Sequence, residues 1–123
     1  MTTSVSRTRQ AITGDLESAA VISDGSNLAR HGQVQINCHA VDANGDRIAA
    51  SAGTGALEVI TAAGTEWEAV LEDDNTTPEQ FDFTAASRTV QLQGDPVRSI
   101  RVVPSDLAGT GVVGIRLGVF WTK

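Results

Sequence analysis

His31, Cys38 and His39 are the residues whose types suit nucleophilic or metal chemistry, and their spacing argues against both. A thiol nucleophile needs a base within hydrogen-bond reach. Cys38 and His39 are neighbours inside an alternating apolar run, Val34, Ile36, Cys38 and Ala40, and a strand sends adjacent side chains to opposite faces. His31 lies in a predicted loop without an obvious carboxylate partner. Two histidines and one cysteine without regular spacing also make a poor zinc set. Cys38, the lone cysteine, has no internal disulfide partner and reads as a small buried hydrophobe.

Carboxylates give no stronger signal. Asp42-Ala43-Asn44-Gly45-Asp46 follows the first five positions of a calcium loop, but Arg47 and Gly53 stand where the sixth-position glycine and the twelfth-position glutamate belong. Glu72, Asp73 and Asp74 read as a solvated acidic loop rather than a ligand set. Gly109-Thr110-Gly111-Val112-Val113-Gly114 spells G-x-G-x-x-G, yet a strand pattern follows it where a dinucleotide site needs a helix. Asn75-Thr76-Thr77 has the form of a glycosylation sequon inside what reads as a loop. The residues therefore predict no catalytic, cofactor-binding or metal-binding set, and no enzyme.

The elements that would position these residues are strands. In the last quarter Val113, Ile115, Leu117, Val119 and Trp121 recur at every second residue. Ile100 and Val102 do so before Pro104, which is expected to end that strand, with residues 105–111 closing an antiparallel hairpin. Earlier, Gln33 to Val41 alternates, Asn44-Gly45 marks a tight reversal, and Leu57, Val59 and Thr61 alternate before a second turn at Ala63-Gly64-Thr65. Trp67, Ala69 and Leu71 return on one predicted apolar face, and Phe81, Phe83, Val90 and Leu92 mark two shorter strands. About eight strands at spacings near ten residues predict an all-β fold: a single antiparallel β-sandwich, Ig-like or jelly-roll-like. Its predicted core is Val34, Ile36, Leu57, Val59, Val90, Leu92, Ile100, Val102, Val113, Ile115, Leu117 and Val119. Residues 1–20, rich in Thr and Ser without a sustained period, are expected to be an extended arm ahead of a sandwich over 21–123.

The 123 residues are enough for one core. A net charge of −6 argues against nucleic acid, whose nonspecific binding needs a cationic face. Arg7 and Arg9 are the only charges among the first fourteen residues, so a weakly basic arm precedes an acidic body. No apolar run reaches the length of a membrane-spanning helix, and the N-terminus lacks the order of a signal peptide. The expectation is a protein made in a cytoplasm, with no membrane partner.

From about Gln33 onward the chain resembles small structural proteins of tailed bacteriophages. The resemblance rests on VDANGDRI, on GTGALEVIT, on AAGTEWEAVLED, and on VRSIRVVPSDLAGTGVVGIRLGVFW. It implies a non-enzymatic virion protein of the head-decoration (cement), fibre or tail-associated kind, without cofactors or catalytic residues. Capsid decoration is the leading expectation, a tail or fibre component the alternative. An Ig-like carbohydrate-binding or adhesion module is a further alternative, weakened because Trp67 and Trp121 sit on predicted apolar faces and there is no tyrosine.

That resemblance, with the charge pattern, predicts assembly contacts. Val5, Arg7, Arg9 and Ile12 are expected to dock the arm on a partner's sheet edge, such as that of the major capsid protein, by strand addition. Gly114, Arg116, Gly118 and Phe120 are expected to let a second copy approach the final strand in a homo-oligomer, by analogy a trimer.

Overall fold

The period-2 patterns are realised as nine strands in a computed structural model that describes residues 6–23, 33–85, 88–93 and 96–122. They are β1 (Ser6–Ile12), β2 (Ala20–Ser23), β3 (Gln33–Val41), β4 (Ala52–Thr61), β5 (Glu68–Ala69), β6 (Gln80–Asp82), β7 (Thr89–Gln93), β8 (Val97–Ala108) and β9 (Gly114–Thr122). Val5 and His31 lie outside the described residues, as do the side chains of Arg7 and Trp121.

Two antiparallel sheets face each other, one ordered β1-β9-β3-β7, the other β2-β8-β4-β5 with β6 also paired to β4. The interior between them is aliphatic: Ile36, Ile100, Val102, Ile115, Leu117 and Val119 have no exposed surface. Each contributes roughly 1.5–3 kcal/mol of transfer free energy before conformational entropy is subtracted. Phe81 and Phe83, both buried, join this core. Of the predicted core, Leu92 is only partly buried. Val112 is buried in place of Val113, because the turn preceding β9 shifts the alternation by one residue.

β8 and β9 are not a hairpin. Both present an apolar face, and they place those faces opposite each other in different sheets. The crossing uses Gly111 at φ 83° and Gly109, where a Cβ would press on Val112 and on the backbone of Ala50 and Ser51. Nor does Pro104 end β8, which runs on to Ala108. β2 stops at its partner Val102, so beyond that point β8 is paired on its β4 side, and a strand with an open side tolerates proline.

The Asn-Gly reversal forms, but with a positive φ at Gly45 alone and not at both of its residues, as a two-residue hairpin turn would have. Gly45 sits at φ 82°, Asp42 Oδ1 accepts from the backbone N–H of Asn44 and of Asp46, and Arg47 bridges back to Val41. The β4–β5 hairpin also forms, with Glu58 paired to Ala69 and Val59 to Glu68. Its apolar side differs from expectation. Val70 packs on the core, Leu71 is 44% exposed, and Trp67 lies on the outer face of the sheet beneath Arg101.

The segment expected to extend as an arm is, from Ser6 to Ile12, the edge strand β1, paired along its length with β9. Its sequence alternates Thr8, Gln10 and Ile12 with Arg9 and Ala11, polar on both faces, so no apolar stripe announces it. Ala11 packs against the core from this edge. The expected arm–sandwich boundary after residue 20 therefore falls just inside β2, and the expected arm contains a strand paired into the sandwich.

Candidate functional site

The side chains that point away from the core on the β1-β9-β3-β7 sheet form three rows in register. Thr8, Phe120, Gln35 and Gln91 make the first, each paired to the next across the ladder. Gln10, Gly118, Asn37 and Thr89 make the second. Ile12, Arg116 and His39 make the third. Their outward direction follows from the burial of their strand neighbours Leu117, Val119, Ile36, Cys38 and Val90. Among the described residues no carboxylate stands in these rows.

The close approach permitted by Gly114 and Gly118 is made by the chain itself. A Cβ on Gly114 would collide with the carbonyl of Thr13, whose N–H donates to the Ile115 carbonyl as the chain leaves β1. A Cβ on Gly118 would lie 2.7 Å from Asn37 Oδ1 and 3.5 Å from the ring edge of Phe120. The half-buried Phe120 ring therefore lies along β9 toward Gly118. Arg116, expected to meet a neighbour's carboxylate, is engaged within the chain. Its Nε and Nη2 donate to His39 Nε2 at 3.1 and 2.8 Å, and its Nη1 to the Gly45 carbonyl at 3.2 Å.

That contact sets the chemistry of His39. A guanidinium has only donors, so Nε2 must be the acceptor and the neutral ring carries its proton on Nδ1. Partial burial, then Arg116 and Arg47, lower its pKa from 6.5 to about 4. The lone pair that would make it a base is occupied. Cys38 faces the opposite way, buried, and burial pushes its thiol up to about 12. The two therefore cannot form a nucleophile–base pair. A cavity of about 240 Å³ lies beside them, lined among others by His39, Arg47, Asp82 and Phe83. Its one carboxylate, Asp82, already accepts from the N–H and hydroxyl of Thr84, which hold its pKa low. Asp74 is likewise spent on its own turn, accepting from Thr76 and Thr77. Among the described residues, no three His, Cys, Asp or Glu side chains are grouped so as to hold a metal ion.

The second feature is an edge. Among the described residues no strand pairs with the outer side of β1. Because Thr13 N–H bonds to Ile115, antiparallel alternation turns the main-chain groups of Arg7, Arg9 and Ala11 toward β9. Those of Thr8, Gln10 and Ile12 are left on the outer edge. Among the described residues, Ile12 at the end of β1 is 55% exposed and Leu16, just after it, 38% exposed. Arg9, on the same strand, is exposed as well.

Sequence reasoning placed Ile12, Arg116, Gly118 and Phe120 among the assembly contacts, and the ladder brings all four onto one face. It passed over Thr8, Gln10, Gln35, Asn37 and Gln91. The signal available was the polar parity of each strand, but which polar stripes lie side by side depends on strand order.

No protein-family model matches the chain, and no curated protein sequence does. Among solved structures, the crystal structure of the SPBc2 prophage-derived protein YomS superposes with a TM-score of 0.58 at 7% identity, over 100% of this chain and 97% of that one. The Yersinia pseudotuberculosis-derived mitogen YPM superposes with a TM-score of 0.49 at 11% identity, over 97% of this chain and 86% of that one. At such identity the likeness to YomS is one of fold: the chain folds, end to end, as a small prophage-derived β protein does.

Proposed function

We propose that this protein is a non-enzymatic structural component of a bacteriophage particle, most specifically a capsid decoration protein that docks through the β1 edge. The observation that carries this reading is the end-to-end likeness of its fold to the prophage-derived YomS. The outer edge of β1 supports it, since main-chain groups with no strand partner among the described residues, beside exposed Ile12, suit strand addition. Occupation of the His39 lone pair and protonation of Cys38 fit a role without catalysis. The partner is a copy of itself, in a trimer, and a second virion protein such as the major capsid protein. The acidic body leaves nucleic acid aside.

The test is to purify particles made by the genome that encodes the chain, separate heads from tails, and probe each with an antibody to it. Decoration requires the chain on heads at high copy. Its confinement to tails would move the role to a tail or fibre component. Its recovery only from the particle-free lysate would end the structural reading.

A further inference from the structure

We propose that the outer face of the β1-β9-β3-β7 sheet is a binding site for an uncharged oligosaccharide, with Phe120 as its stacking platform. The inference is independent of any place on a particle.

A sugar ring offers one apolar C–H face and a rim of hydroxyls that each donate and accept. Its receptor needs an aromatic ring flat enough to stack on, flanked by groups that do both. Phe120 is half-buried on a central strand, and its ring lies down toward Gly118, which has no side chain to lift it. Part of the side chain stays open to solvent. Its cross-strand neighbours are Thr8 on one side and Gln35 on the other, with Gln91 beyond. A primary amide carries a donor and an acceptor in one plane, the pairing that adjacent hydroxyls require. Four strands at about 4.8 Å spacing make this row roughly 14 Å long, enough for more than one sugar unit.

Charge argues for an uncharged ligand. The chain has fifteen acidic residues, yet the described rows contain none. Their one guanidinium, Arg116, is turned onto His39 and Gly45. The outer face of the opposite sheet, in contrast, carries the Arg101–Glu58 ion pair at 2.6 Å. A face that only needed water would not have to exclude the charges that solvate the rest of the molecule.

The site is open, so affinity should be on the order of 1 mM. The experiment is a titration of the isotope-labelled full chain, followed by amide NMR, with cellohexaose, maltohexaose and chitohexaose, and with hexagalacturonate as the anionic control. At least one uncharged probe should shift Gln35, Asn37, Gly118, Phe120 and Gln91. Phe120→Ala should weaken that binding about tenfold. Gln35→Ala, whose exposed side chain does not support the core, should weaken it severalfold with an unchanged melting temperature. The proposal is overturned if no uncharged probe shifts these rows, if both variants bind as the parent does, or if hexagalacturonate binds more tightly in a salt-dependent way. Sugar-independent, concentration-dependent shifts of the same residues would overturn it too, by making the face a self-interface.

Discussion

Arg116 places two donors on one acceptor, His39 Nε2, at 3.1 and 2.8 Å. The contact crosses from β9 to β3 and holds the imidazole neutral. The folded state therefore resists protonating His39, whose pKa falls from 6.5 to about 4, chiefly through burial and then through Arg116 and Arg47. As pH drops below 6.5 the unfolded chain takes up this proton first. Stability from this group is complete above that pH and is lost as pH falls toward about 4. Urea unfolding midpoints across this window should decline for the parent and stay flatter for His39→Gln. Equal slopes would mean that the contact does not control the proton. Asp74 and Asp82, held below 3.8 by Thr77 and Thr84, add their own loss only at still lower pH.

The two β9 glycines should differ in what they tolerate. At Gly114 a methyl meets the Thr13 carbonyl, a backbone atom that moves only if β1 moves. At Gly118 it meets the Asn37 side chain, which can swing aside. Gly114→Ala is expected to cost about 3 kcal/mol and Gly118→Ala about 1 kcal/mol, read from urea denaturation. The reverse order would contradict the packing of β1 on β9.

Cys38 should be inert while the chain is folded. With its thiol pushed up to about 12 and buried on the core side of β3, it presents almost no thiolate at neutral pH. Ellman's reagent should react only as fast as the protein unfolds, and promptly in denaturant. Fast labelling of the native protein would show the strand to be more open than described.

The edge of β1 can be blocked without breaking the sheet. Gln10 directs its N–H outward, so Gln10→Pro removes a donor that β9 does not use. The sandwich should keep its stability within about 1 kcal/mol while self-association and particle docking fall at least tenfold. Light scattering and particle binding that match the parent would remove β1 as the docking edge.

Much of the fold was legible because burial in a sandwich has period 2. Val34, Ile36, Leu57, Val59, Ile100, Val102, Ile115, Leu117 and Val119 all lie in the core as their alternation predicts. Alternation says which face is apolar, not which sheet holds it. For that reason β8 and β9 read as a hairpin although residues 109–113 carry the chain across the sandwich. β1 was illegible because an edge strand with Thr, Arg and Gln on both faces has no apolar stripe. Trp67 was misplaced because Glu66 and Glu68 beside it imitate a polar outer face, whereas the ring itself lies outward, 4.4 Å beneath Arg101. The three-row face could not be read at all, since it exists only once β1, β9, β3 and β7 are set side by side.

The central claim, a particle component held by its β1 edge, is tested most directly by an electron cryomicroscopy reconstruction of the particle whose genome encodes the chain. The account predicts density for the nine-strand sandwich on the particle surface, with a neighbouring protein's strand paired to Thr8, Gln10 and Ile12. Particles that lack this density, or that carry it with the β1 edge open to solvent, would contradict it.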